Sequence, residues 1–243
     1  MKIEETINTW FGVTQRQIMV VSNTDKTFTT SFCAVAVAVM RIYCLAAGHL
    51  IDNHFRLPAT ALFRVISEFF IKFLWCTKIW TDDEIKQRMA RWEKTSAKKK
   101  IRLLDDLLKL SNVFSQDQLD ALKNTRDGVD RDIKSNSQSE MPHVTGSESL
   151  FEDVATIFGA NVSGILYAQY SPAIHIPTSI LSGFVNNTNQ QFFIRNDIDE
   201  SDEHLGKICL NFAYMFLKVI YHHYTWDIDT IQKEYKSITG SKG

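Results

Sequence analysis

The chain has no close pair of cysteines. Cys33, Cys44, Cys76 and Cys209 are scattered through apolar segments, with none of the short spacings of zinc or redox motifs. They read as buried, reduced thiols of a cytosolic protein rather than a disulfide framework. Also missing is an apolar run of the ~20 residues that a membrane span needs. The longest, Phe32 to Gly48, contains Arg41 and reads as a core helix, so no membrane partner is expected. The start, Met-Lys-Ile-Glu-Glu-Thr-Ile-Asn, is too acidic and polar for a signal peptide. Charge of one sign is lacking as well. A net charge of -1 and a pI near 6.7 predict no general attraction to nucleic acid, so any such binding must come from a local patch. Neither an internal repeat nor convincing strand alternation is visible.

What is present is 243 residues, 44% hydrophobic and 23% charged, ordinary for a globular protein and enough for a full core. One helical domain over 1–243 is expected. The fold class predicted is all-α, a single irregular bundle of about seven to nine helices. Helical periodicity runs from Ile3 to about Val21, with Ser22 to Lys26 as a loop. Thr30 or Ser31 is placed to cap an Ala-rich helix through Met40 and Ala47. Pro58 suits the first turn of a central helix, Leu62 to about Ile79, apolar on nearly every side. Capping boxes at Thr81-Asp-Asp-Glu84, Ser115-Gln-Asp-Gln118 and Thr145-Gly-Ser-Glu148 open three further helices. Ser201 caps the last long one, and Asp227 to about Ile238 forms a short terminal helix. Ser, Asn and Gln dominate 134–144, read as a flexible loop. Asn186 to Gln191 reads as a polar loop, Phe192 to Ile194 as a short extended piece, and 239–243 as a disordered tail.

Several constellations bear on chemistry. Arg64, Glu68 and Lys72 follow one another at four-residue spacing on the central helix, so they share a face on which Glu68 can pair with either neighbour. Ile71 and Trp75 fall on that same face, which argues for a buried, paired cluster over a solvated stripe. Arg88, Arg91, Lys94, Lys98, Lys99, Lys100 and Arg102 form the one strongly basic stretch. Arg88, Arg91, Lys98 and Lys99 are the candidate nucleic-acid contacts there, and a solvated helix face is the alternative, since Glu93, Asp105 and Asp106 dilute the charge. His49, Asp52 and His54 lie close together but without a metal-binding spacing, as do His222 and His223. No metal or cofactor is expected.

Tyr167 to Leu181 joins an apolar aromatic run to Pro172 and Pro177, with His175 between them. Pro172 ends a helix near Ser171, and Pro177 fits the first turn of the next. His175 then lies in a helix break, as a ligand-binding or catalytic histidine or as part of a tight turn. Ala59 to Phe70, containing Arg64-x3-Glu68, followed by Tyr167 to His175, resembles a family of bacterial helical proteins known only as a domain of unknown function. That family is similar to HEPN-like proteins common among bacterial toxins and phage-defence effectors, many of them metal-independent RNases. The RNases carry Arg, four to six residues, then His, and that motif is absent here. The resemblance implies a pocket of Arg64, Glu68, Tyr170, Ser171 and His175, with His175 as general acid or base and Arg64 supplying positive charge. The expectation is a cytosolic protein of a defence or stress system acting on RNA or nucleotides, with a same-operon partner or a second copy. The alternative is a non-enzymatic interaction module whose polar cluster is structural.

Overall fold

The computed structural model describes residues 2–110, 112–135, 138–141, 185–188, 191–194 and 201–240. These form helices α1 (Ile3–Thr24), α2 (Phe28–Asp52), α3 (Arg56–Cys76), α4 (Asp82–Leu108), α5 (Gln116–Ser135), α6 (Asp202–His223) and α7 (Asp229–Thr239). Strands β1 (Val185–Thr188) and β2 (Gln191–Ile194) pair antiparallel, Val185 opposite Ile194 and Thr188 opposite Gln191. The fold class is all-α, with this hairpin the one β element among the described residues. It agrees with the extended piece at Phe192 to Ile194 and corrects the loop reading at Asn186 to Thr188 and at Gln191, while residues 189 and 190 lie outside the described residues. Pairing runs through backbone groups, so a run of Asn, Thr and Gln can enter a ladder without any apolar alternation to announce it.

The chain divides into two compact units, Met1–Trp75 with Leu150–Gly243, and Cys76–Ser149. In the first, α1 buries Ile7, Trp10, Phe11, Thr14 and Ile18, the three- and four-residue spacing of one helix face. Helix α2 buries Cys33, Ala36, Val37, Met40, Cys44, Ala47 and Ile51. The two run antiparallel, because Ile3 and Glu4 at the start of α1 donate their backbone N–H groups to the Asp52 carboxylate at the end of α2, each at 3.0 Å. Gly48 permits this approach: a Cβ there would lie 3.1 Å from the Glu4 backbone nitrogen. Helix α6 runs parallel to α1, its Gly206 against Ile3 and its Phe216 stacked on Phe11 at 6.2 Å. Phe70 and Phe73 of α3 reach the same Phe216 ring at 6.0 and 4.9 Å. Helix α7 is tied on by Trp10 Nε1 donating to Glu234 at 2.8 Å and by Tyr235 stacked on Tyr214 at 4.2 Å.

Helix ends follow side-chain chemistry, with two shifts from expectation. Helix α1 continues to Thr24, and the α2 cap is Thr27, whose hydroxyl accepts from the Thr30 N–H at 3.2 Å. Asp25 supports that cap by accepting from the Thr27 N–H and the Thr30 hydroxyl. Helix α3 begins at Arg56, so Pro58 lies in its first turn, where no intrahelical donor is needed. Ser201 caps α6 through the His204 N–H. At 25 residues α2 is long and apolar enough to cross a membrane, yet its inner face is core and Arg41 donates to Gln15 and Asn8 of α1.

The second unit is a pair of polar helices. Thr81 caps α4. Ser115 and Gln118 bond reciprocally at the start of α5, the two-way box that satisfies two orphan N–H groups. Arg126 of α5 donates to Asp105 of α4 at 3.1 Å. Of the stretch 134–144, Lys134 and Ser135 finish α5, and 138–141 lies along α4: the Met141 N–H donates to Thr95 Oγ1, and Lys94 donates to the Gln138 carbonyl. Residues 136, 137 and 142–144 lie outside the described residues. So do the Thr145 capping box and 241–243 of the expected tail.

Helices α2 and α6 both close with a residue in the left-handed region, His54 at φ 64 and Thr225 at φ 54, where glycine is the unstrained choice. At α6 the Trp226 N–H returns to the Tyr221 carbonyl and the Thr225 N–H to that of His222. Thr225→Gly should therefore stabilise the protein by about 0.5–1 kcal/mol in urea unfolding, relieving left-handed strain that costs ~1–2 kcal/mol against a small gain in unfolded-chain entropy. Asp52→Ala should act oppositely, losing about 1–2 kcal/mol because two N–H groups at the start of α1 lose their acceptor.

Candidate functional site

On α3 the four-residue spacing brings Arg64 and Lys72 onto the two oxygens of Glu68. Arg64 Nη1 donates to Glu68 Oε2 at 2.5 Å, and Lys72 pairs with Oε1. The three side chains are 11%, 16% and 26% exposed for Arg64, Lys72 and Glu68, while Ile71 and Trp75 are buried. The ladder is thus part of a half-buried face. Burial pushes the Glu68 carboxyl up, but the hydrogen bonds and charges of Lys72 and Arg64 outweigh it and hold the group below the usual carboxylate range. A carboxylate held ionised, with both oxygens taken, is a poor proton donor and a good structural counter-ion. Neither cation lacks a partner. Tyr170, Ser171 and His175, the other expected members of this pocket, lie outside the described residues.

The expected nucleic-acid contacts sit on α4. Arg88 donates to Glu84 at 2.5 Å, Lys98 pairs with Glu140, and the Arg91 backbone carbonyl accepts from the Met141 N–H. Lys99 is exposed. Two of the four charges are therefore matched by carboxylates, which weakens the field a phosphate backbone would meet.

His49, Asp52 and His54 end in three different places. His49 Nδ1 lies 3.0 Å from Glu4, Asp52 caps α1, and His54 Nδ1 lies 2.6 Å from Asp202 Oδ2. Arg56 Nε donates to the other Asp202 oxygen at 2.6 Å. The Arg56 hydrogen bond and charge, with those of His54, hold Asp202 below its usual range despite some desolvation. With Asp202 ionised, the His54 Nδ1 beside it is the donor of that contact. Sequence reasoning missed this group because Asp202 lies 148 residues from His54. The nearest signal was an acidic first turn behind the Ser201 cap. Among the described residues no three His, Cys, Asp or Glu side chains are grouped to hold a metal.

All four cysteines are free and buried. Burial pushes the Cys33 thiol up to about 12, so it is inert as a nucleophile near neutrality. The chain matches no family model, no curated protein and no solved structure. The likeness to the domain-of-unknown-function family rests on the two sequence motifs alone.

A group whose folded pKa is depressed contributes stability above its unfolded pKa and loses it as pH falls through the folded value. The unfolded reference for Glu68 is about 4.3. Glu68→Gln should therefore cost about 1–2 kcal/mol at neutral pH. That cost should shrink toward zero as the pH falls below about 4. Urea unfolding of wild type and variant across this range reads the difference, and a pH-independent cost would mean that the ladder's charge contributes nothing.

Proposed function

We propose that this chain is a cytosolic, non-enzymatic helical interaction module that pairs with a second copy through the outer face of α2. The observation that carries the reading is the apolar stripe on that face. Val35 and Ile42, seven residues apart, are 63% and 64% exposed, Ala46 is exposed, and Ala38, Val39 and Leu45 between them are half-buried. No charged side chain interrupts this stripe. The seven-residue interval puts Val35 and Ile42 on one seam, the spacing at which a second copy of the helix can pack alongside. Large apolar side chains on one continuous face are more costly to leave in water than the same residues scattered singly. In this reading the Arg64–Glu68–Lys72 ladder fixes the register of α3, and no membrane is involved.

The competing proposal is a HEPN-like effector of a phage-defence or toxin-type system acting on RNA or nucleotides. It is favoured by Arg64, a nearly enclosed guanidinium held rigidly in an apolar helix. One set of proteins separates the two. Under the interaction reading, wild type elutes as a dimer in size-exclusion chromatography with light scattering, and Ile42→Asp elutes as a folded monomer. Wild type then leaves RNA intact and expression does not arrest growth, while Arg64→Ala lowers only the melting temperature. A monomeric wild type that degrades RNA, with activity lost in a folded His175→Ala variant, would replace this reading with the second.

A further inference from the structure

Beside the His54–Asp202 pair the first unit carries a cleft of about 370 Å3. Its floor is aliphatic, made by Ile3 of α1, Ile51 of α2, Leu210 of α6 and Ile238 of α7. The rim is polar, formed by Asp52, His54, Asp202, Glu203 and Lys207. Four helices thus meet around a concave apolar surface with charged groups along one side, the form of a small-molecule site. The self-association face on α2 is separate: Ile51 and Asp52 lie at the helix end, beyond the Val35 to Ala46 stripe.

The signs of the rim groups select the ligand. Three carboxylates face one ammonium, and that ammonium is already paired with Glu203 at 2.7 Å. Arg56, behind the rim, is committed to Asp202. Counting it, three carboxylates stand against two fixed cations. Asp52 receives two backbone N–H groups but keeps lone pairs beyond them. His54 is itself committed to Asp202 through Nδ1. Acceptors therefore outnumber free donors around the opening. A carboxylate or phosphate head would meet repulsion there, and an uncharged head would leave the excess acceptors unmatched.

We propose that this cleft binds a small aliphatic amine, its ammonium donating to Glu203 and Asp52 while its carbon chain lies on Ile3 and Ile238, over a base closed by the buried Ile51 and Leu210. The aliphatic floor supplies affinity through burial of methylene groups. The rim supplies selection by charge. The site is independent of whether the chain self-associates or acts on RNA.

The test is an NMR titration of the full chain with 1-hexylammonium, hexanoate and 1-hexanol, following the isoleucine and leucine methyl groups. Hexylammonium should saturate, with shifts centred on Ile3, Ile51, Leu210 and Ile238, and hexanoate should not. Glu203→Gln should weaken binding about three- to tenfold, and Lys207→Gln should strengthen it by a similar factor because it frees Glu203. Both positions lie on the solvent side of α6, and circular dichroism checks that the variants fold. Non-saturating hexylammonium, equal binding of hexanoate or hexanol, or shifts away from these four residues would each overturn the proposal. So would variants that leave the affinity unchanged.

Discussion

The Phe216 ring is the point at which three helices distant in sequence become one body. It is fully buried and touches Phe11 of α1 and both Phe70 and Phe73 of α3. Each aromatic pair contributes roughly 0.5–1.5 kcal/mol beyond its buried area, and here one ring serves three pairs. Its larger effect is geometric. Helices are stiff, so fixing α6 against α1 and α3 at this ring also fixes where their ends fall, and Asp202 reaches His54 and Arg56 at the far end of the same helix. The Arg64–Glu68–Lys72 ladder interleaves with these phenylalanines along α3, Phe70 falling between Glu68 and Lys72 and Phe73 directly after Lys72.

Around that apolar centre, several polar groups are matched at helix ends. Asp52 serves the N-terminus of a helix other than its own, where Lys2 offers no side-chain cap. This arrangement satisfies the first turn of α1 and at the same time sets the register between α1 and α2, so one carboxylate does the work of a cap and a clamp. The α2 closure is of the same kind. A histidine occupies a left-handed position that glycine would hold without strain, and its ring gains a carboxylate partner in exchange.

The helical class was legible because α1, α2 and α6 each carry one apolar face at three- and four-residue spacing. Caps were legible where a hydroxyl stood immediately before such a face, at Thr81, Ser115 and Ser201. Thr27 was not, because four Thr or Ser residues compete within five positions and only Asp25, reaching two of them, decides among them. The Arg64–Glu68–Lys72 pairing was readable since all three residues lie on one helix and spacing alone dictates contact. His54 with Asp202 was not readable. No local pattern links residues that far apart, and a left-handed histidine leaves no mark in composition. Of the β1–β2 hairpin, Phe192 to Ile194 was readable as an extended piece, but Asn186 to Thr188 was not, since backbone pairing does not require apolar side chains.

Trp10 and Glu234, joined by a hydrogen bond across 224 positions, belong to a unit whose two sequence segments are separated by all of Cys76–Ser149. Chain synthesis is directional, so α1, α2 and α3 emerge long before α6 exists to cover their phenylalanines. The α4–α5 pair needs only neighbours in sequence and can form at once. During translation the first three helices are a half-built surface of Phe11, Phe70 and Phe73, exposed until the sixth helix arrives. The interval set by the intervening residues is therefore the period in which a nascent chain is most open to chaperones and to wrong partners.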